Sequence, residues 1–256
     1  MKVDVLTSGI WQTTSTVLSN GDACVVIDPA YFPRELEAIS ARVCELGHAE
    51  SVVFTHGHWD HVMGHAAFPG TPVALSRVLA DSIAAGDARA ARYLEDAREF
   101  DSRWYVPRPG GHRWPERIRG LADCEDVDIG GLQITSLHLP GHSPDGLGLL
   151  VDGLLLVGDY LSPCEIPFID EAAAYCATLV RLGDLFADVR EVIPGHGPRL
   201  TRAEAQAIAR ADREYLDRLM GARDLATAEA IVLPRAADVA GMRGYHLDNC
   251  KKVGLS

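Results

Sequence analysis

One pattern restricts this chain more than any other: short apolar runs that end on histidine or aspartate. Ser51-Val-Val-Phe-Thr55 leads into His56-Gly57-His58-Trp59-Asp60-His61, so four side chains able to bind a metal follow one run. Pro140-Gly141-His142 and Pro194-Gly195-His196 each follow an apolar stretch, and Leu154-Leu-Leu-Val157 ends in Gly158-Asp159. Short β-rich runs bounded by glycine read as buried strands. Loops after the C-terminal ends of strands are where α/β architectures gather their functional groups. The pattern therefore predicts an α/β fold with these strand ends brought to one place.

The remaining punctuation agrees. Val3–Thr7 and Thr14–Leu18 are β-rich, and Asn20-Gly21 signals a hairpin into Ala23–Ile27. Pro33 opens a helix with Leu36, Ile39, Val43 and Leu46 on one face and Gly47 as its stop. A short strand at Thr71–Ser76 precedes a helical stretch from Arg77, and several strands fall within 121–157, parted by Gly130-Gly131, Gly141 and Asp152-Gly153. A helix is expected over about 171–186, with Tyr175, Leu179, Leu182 and Leu185 on one face. Glu191–Ile193 reads as a strand. Thr201 and Glu204 form a capping box before a helix that shows Ile208, Tyr215, Leu216 and Leu219 on one side. Two shorter helices close the chain. Residues 87–119 stand apart, with eight arginines against six acids and with Trp104, Tyr105 and Trp114 beside Pro107, Pro109 and Pro115. Such a segment reads equally as a lid over a site and as a packed helical insertion.

Imidazole nitrogens and carboxylate oxygens suit zinc, with iron or manganese also compatible. His56, His58, Asp60, His61, His142, Asp159 and His196 are too many ligands for one tetrahedral ion and suit two ions sharing a bridge. None of the six cysteines falls in these motifs, as a closed structural zinc site would require. Scattered core histidines are the bland alternative, and the repeated strand-end setting argues against it.

In this order the motifs resemble the metallo-β-lactamase superfamily, particularly its glyoxalase II-like hydrolases. The resemblance runs over nearly the whole chain. It implies one domain over 1–256 built as a four-layer αββα sandwich, with an insertion or lid at about 87–119. It also implies that His56, His58 and His142 hold one divalent ion, that Asp60, His61 and His196 hold the second, and that Asp159 bridges them. Asp28, in Val25-Val-Ile-Asp28-Pro29, matches the family's early strand-end aspartate and would orient the histidine loop rather than bind metal. The chemistry implied is hydrolysis of a small ester, thioester or lactone by a metal-bridging hydroxide, with Asp60 orienting the nucleophile or taking its proton. His58 stands where flavodiiron oxygen reductases carry glutamate, and no second histidine motif of the nuclease kind follows. The lysine-rich glutathione-binding elements of glyoxalase II are not apparent.

Substrate contacts are expected from Tyr160, Glu165 and Phe168, which follow Asp159, and from Trp104, Trp114 and His246; a structural role fits His246 equally. The chain's 36 acidic against 24 basic residues give a net charge of −12, which disfavours nucleic acid and anionic membranes as partners. A small-molecule acyl compound is the expected partner, and the oligomeric state is not legible. The start, Met1-Lys2-Val3-Asp4-Val5, lacks the apolar core of a signal peptide, so a cytoplasmic location is expected. A metal-dependent nuclease or phosphodiesterase, and an iron-dependent sulfur dioxygenase, are the alternatives on the same fold.

Overall fold

The computed structural model describes residues 1–255 and resolves into two compact units. The first comprises 1–138 with 147–152, and the second 139–146 with 153 onward. Two stretches of the second unit are thus separated in sequence by a piece of the first.

In the first unit, β1 (Lys2–Thr7), β2 (Thr14–Asn20) and β3 (Ala23–Ile27) form an antiparallel meander. Asn20 pairs with Ala23 around Gly21, whose φ of +64° is the left-handed conformation that the Asn-Gly signal predicts. The same sheet continues through β4 (His48–Val53), β5 (Val73–Ser76) and β6 (Ile118–Leu121), each parallel to its neighbour. Helix α1 (Pro33–Leu46) provides the crossover between β3 and β4, with proline in its first turn as expected. Val17, Val26, Val52, Phe54, Leu75 and Leu79 are buried in one core. Strand β4 starts earlier and stops earlier than the predicted 51–55 run. Its ladder gives out because the Thr55 N–H donates to the Asp28 carboxylate (2.8 Å) instead of to a strand.

After β4 the histidine motif does not form a plain loop. His58 caps a single helical turn, α2 (Trp59–Val62), on which Asp60 and His61 are buried. The helical stretch from Arg77 divides into α3 (Arg77–Ala85) and α4 (Ala88–Trp104) at Gly86, whose φ is +60°, with Asp87 capping the second helix. Most of the 87–119 segment is therefore α4. The turn after it is pinned by Asp101, which accepts from the Tyr31 hydroxyl (2.6 Å) and from the Arg108 guanidinium (2.8 and 3.0 Å). Strands β7 (Asp126–Ile129), β8 (Leu132–His138) and β9 (Leu147–Val151) form an antiparallel ladder that turns at Gly130-Gly131.

In the second unit, β10 (Leu154–Leu156) and β11 (Glu191–Ile193) are parallel and joined through α5 (Ala172–Leu185), while β12 (Leu200–Thr201) returns antiparallel. Helix α6 (Arg202–Met220) starts on the predicted capping box. Its buried face uses Tyr215, Leu216 and Leu219 as expected, with Ala205 more enclosed than Ile208. Helices α7 (Leu225–Glu229) and α8 (Met242–Lys252) complete the described chain. No described helix is long and apolar enough to cross a membrane.

Candidate metal centre

Each unit gathers side chains able to bind a metal near the ends of its strands. In the first unit, β3 ends at Asp28, which takes a left-handed backbone (φ +46°) and is buried. Its Oδ2 accepts from the Thr55 hydroxyl (2.5 Å) and from His61 Nδ1 (2.9 Å). The Thr55 hydroxyl gives its proton to that carboxylate, so its oxygen accepts from His56 Nδ1 at 3.1 Å. One carboxylate thereby fixes two tautomers: His56 and His61 both carry their proton on Nδ1 and leave Nε2 as a ligand. His56 Nε2 lies 3.0 Å from His58 Nδ1, and His61 Nε2 lies 3.3 Å from Asp60 Oδ2. The Thr13 hydroxyl, whose one proton is shared between the Ile10 carbonyl (2.8 Å) and the Asp60 carboxylate (3.1 Å), steadies Asp60.

In the second unit, the turn Pro140-Gly141-His142 is braced by Tyr160. Its phenol donates to the Pro140 carbonyl (2.6 Å) and accepts the His142 N–H (3.0 Å). Burial raises the Tyr160 pKa well above the usual phenol value, so this hydroxyl keeps its proton. His142 Nδ1 donates to the Phe168 carbonyl (2.9 Å), which again leaves Nε2 unprotonated in the neutral ring. His142 Nε2 and His196 Nε2 both lie 3.2 Å from Asp159 Oδ2. The glycines of the two Pro-Gly-His motifs have a steric reason. Gly141 has φ +126°, and a Cβ there would stand 2.2 Å from the Tyr175 nitrogen; a Cβ on Gly195 would stand 2.1 Å from Asp159 Oδ1.

These contacts test the fit of a cation. An unprotonated ring nitrogen facing a carboxylate oxygen repels it unless a positive charge lies between them. His61 Nε2 faces Asp60 in one unit and His142 Nε2 faces Asp159 in the other, and in their neutral Nδ1–H form both pairs call for such a charge. The donor chemistry fits a divalent metal in both. His56, His58, Asp60 and His61 are the first unit's candidate ligands, and His142, Asp159 and His196 the second's.

A polar network lies behind His142. His246 Nε2 donates to the Ala228 carbonyl (3.0 Å), so its Nδ1 accepts from the Tyr215 hydroxyl (2.9 Å). The Tyr215 oxygen accepts from Asn249 Nδ2 (3.1 Å). Asn249 also donates to the Pro167 carbonyl (2.6 Å) and accepts the Ile169 N–H (3.2 Å), gripping the backbone on either side of Phe168. Tyr215, His246 and Asn249 are buried, and every polar atom of the two rings and the amide has a partner. His246 is thus placed inside the unit with both ring nitrogens engaged. Phe168 serves His142 through its carbonyl as well as through its ring, 5.8 Å away. Glu165 Oε2 comes within 3.9 Å of His196 Nε2. Trp104 is exposed at the end of α4, and Trp114 donates to the Ala90 carbonyl (3.2 Å) beside Tyr93. Sequence reasoning gave no role to Thr13 or Asn249, and it placed Tyr215 on the packed face of α6 without its hydrogen bonds. Thr55 was in view as the last residue of a strand, but its hydroxyl relay was not.

Comparison with known proteins adds three findings. The sequence model of the metallo-beta-lactamase superfamily matches residues 8–219. Hydroxyacylglutathione hydrolase of Aeromonas hydrophila is 27% identical over 165 residues, covering 63% of this chain and 52% of that one. Acyl-coenzyme A thioesterase MBLAC2 of Homo sapiens is 28% identical over 184 residues, 62% of each chain. The matched region is therefore about half of the first relative and under two thirds of the second. Among solved structures, the metallo-beta-lactamase family protein TTHA1429 from Thermus thermophilus has a TM-score of 0.69 at 18% identity, covering 98% of this chain and 91% of that one. That likeness is one of fold, and it is the αββα sandwich expected from the sequence.

Proposed function

Because the chain belongs to the metallo-beta-lactamase superfamily, we propose that it is a binuclear metal-dependent hydrolase of a small ester, thioester or lactone. The observation that carries this reading is the placement of the rings: with Nδ1 engaged elsewhere, His61 Nε2 and His142 Nε2 each face a carboxylate oxygen. His56, His58 and His142 would hold one ion and Asp60, His61 and His196 the other, with Asp159 between them. When bound, two divalent ions supply Lewis acidity towards a carbonyl oxygen and a water acidified towards neutrality. Zinc suits this mixed nitrogen and oxygen donor set best, with iron and manganese as competitors.

The chain's own residues then have separate tasks. Asp60, steadied by Thr13, orients the attacking water and takes its proton. Asp28 and Thr55 keep His56 and His61 in the ligating tautomer, the Phe168 carbonyl does the same for His142, and Tyr160 braces the turn that carries His142. Tyr160 retains its proton and so is a brace rather than a base. No serine or cysteine nucleophile is required. The names of the two curated relatives support an acyl thioester as the substrate type. A net charge of −12 supports a small molecule rather than a nucleic acid.

The test is His58→Ala and Asp60→Ala, with metal content and hydrolysis measured together on thioester, ester, lactone, β-lactam and phosphodiester substrates. Loss of metal from His58→Ala, and a fall in kcat of about a hundredfold or more in Asp60→Ala, are expected. Full hydrolysis by metal-depleted protein would sink the reading, and phosphodiester cleavage in place of acyl cleavage would move it to a nuclease.

A further inference from the structure

The first unit carries a cleft of about 840 Å3 that the tasks above leave unused. Its walls are Ile10 and Trp11 from the turn after β1, Phe32 ahead of α1, Trp59 on α2, and Phe100 and Trp104 on α4. Trp59 stacks on Phe100 with ring centres 4.3 Å apart, and Trp11 meets Trp59 edge-on at 5.2 Å. Folding normally hides such rings, yet Trp11 is 46% and Trp104 59% exposed. The volume lies in the range of small-molecule sites.

Charge at the rim selects the occupant. Asp96 and Glu99 line the cleft, and Arg92 from the same helix answers both, at 2.5 and 3.8 Å. Arg103 lies over the Trp104 ring at 5.4 Å. An anion would meet the two carboxylates, and a cation would have to displace arginines already in place. An uncharged apolar group meets neither cost. Position selects its role: Trp59 is the first residue of α2, between the candidate ligands His58 and Asp60.

We propose that this cleft binds the apolar acyl chain of the substrate, anchoring it on Trp59 next to the metal-binding residues. This rests on the acyl-hydrolase reading above and names the part of the substrate that sets its specificity. The cleft favours long linear or aromatic acyl groups over acetyl, because each buried methylene contributes about 0.8 kcal/mol, or roughly fourfold in affinity.

Three of the chain's four tryptophans line the cleft, so binding is visible by fluorescence without turnover. Straight-chain alcohols from butanol to decanol, titrated into the full chain with chelator present, should bind about fourfold more tightly per added carbon. Trp104→Ala and Trp11→Ala should each weaken decanol by about tenfold, as loss of a large aromatic contact does, while metal content is unchanged. Trp114→Phe, outside the cleft, should leave the titration intact. Fluorescence indifferent to chain length overturns the proposal, as does undiminished decanol binding in both alanine variants. A signal that follows protein concentration alone also overturns it, by marking the face as a contact between two copies. Alcohol binding without ester hydrolysis keeps the cleft and removes the hydrolase reading. Hydrolysis with no chain-length preference does the reverse.

Discussion

In the first unit a single carboxylate, Asp28, sets two imidazoles, His61 directly and His56 through the Thr55 hydroxyl. In the second, His142 is set by a neutral carbonyl, that of Phe168, which Asn249 holds from both sides with Tyr215 and His246 behind it. The same tautomer results by two routes. An anion orients strongly and also makes the ring a better donor, because a hydrogen bond to a charged group is about twice as strong as a neutral one. A neutral network adds no charge to a buried site, and its rigidity depends on every member being satisfied. The first arrangement concentrates its effect in one residue, whereas the second spreads it over four.

That difference predicts unequal responses to mutation. Asp28→Ala would leave three buried donors facing nothing, the Thr55 N–H and hydroxyl and His61 Nδ1–H. We expect a loss of about 3 kcal/mol or more in a denaturant titration, and a drop of about tenfold to a hundredfold in metal affinity by chelator competition. Equal affinity in this variant would break the comparison. Asn249→Ala frees the backbone about Phe168 and should lower stability by about 2 kcal/mol, with a weaker effect on metal than Asp28→Ala. Imidazole nitrogen resonances of the metal-free protein provide the sharper check: His142 should leave its single Nδ1–H tautomer in this variant while His61 keeps its own. Tyr215→Phe removes one hydroxyl and should cost about 1 kcal/mol.

The smallest effect is one of pH. Burial lowers the His246 pKa below its ordinary 6.5, outweighing the hydrogen bond to Ala228. The unfolded chain therefore takes up a proton that the folded chain refuses. The stability tied to this ring is complete above about pH 6.5 and is lost as the pH falls below it. A plot of melting temperature against pH from about 7 down to about 5 should be flatter for His246→Phe than for the unaltered chain. Identical slopes would remove His246 from the account.

Legibility in the sequence followed the same division. The Asn20-Gly21 turn and the Thr201–Glu204 capping box depend on neighbours a few residues apart, and both appear where a local rule puts them. The Pro-Gly-His repeats were visible too, although the reason for their glycines was not. Gly195 clears space for Asp159, a residue that no local rule connects to it. The grip of Asn249 on Ile169 spans 80 positions and leaves no periodicity, so it cannot be read from spacing. The 87–119 segment was legible as a lid or as a packed helical insertion, but the stacking of Phe100 on Trp59 was not, because it joins α4 to a residue inside the histidine motif. Its arginines mislead when counted alone: Arg92 serves Asp96, and Arg108 serves Asp101.

The interleaving of the two units also governs how the protein comes into being. On the ribosome, the six-stranded sheet is fully synthesised once Leu121 has left the exit tunnel, and Asp28, His56, His58, Asp60 and His61 emerge with it. Strand β9 cannot join β8 until residues 139–146, which belong to the other unit, have already been made. The first unit must therefore hold its nascent ladder open across a stretch of foreign chain, and His142 is delivered within that stretch. No uninterrupted gene fragment encodes either unit free of residues of the other, and an amber truncation at any codon before Leu147 leaves both incomplete.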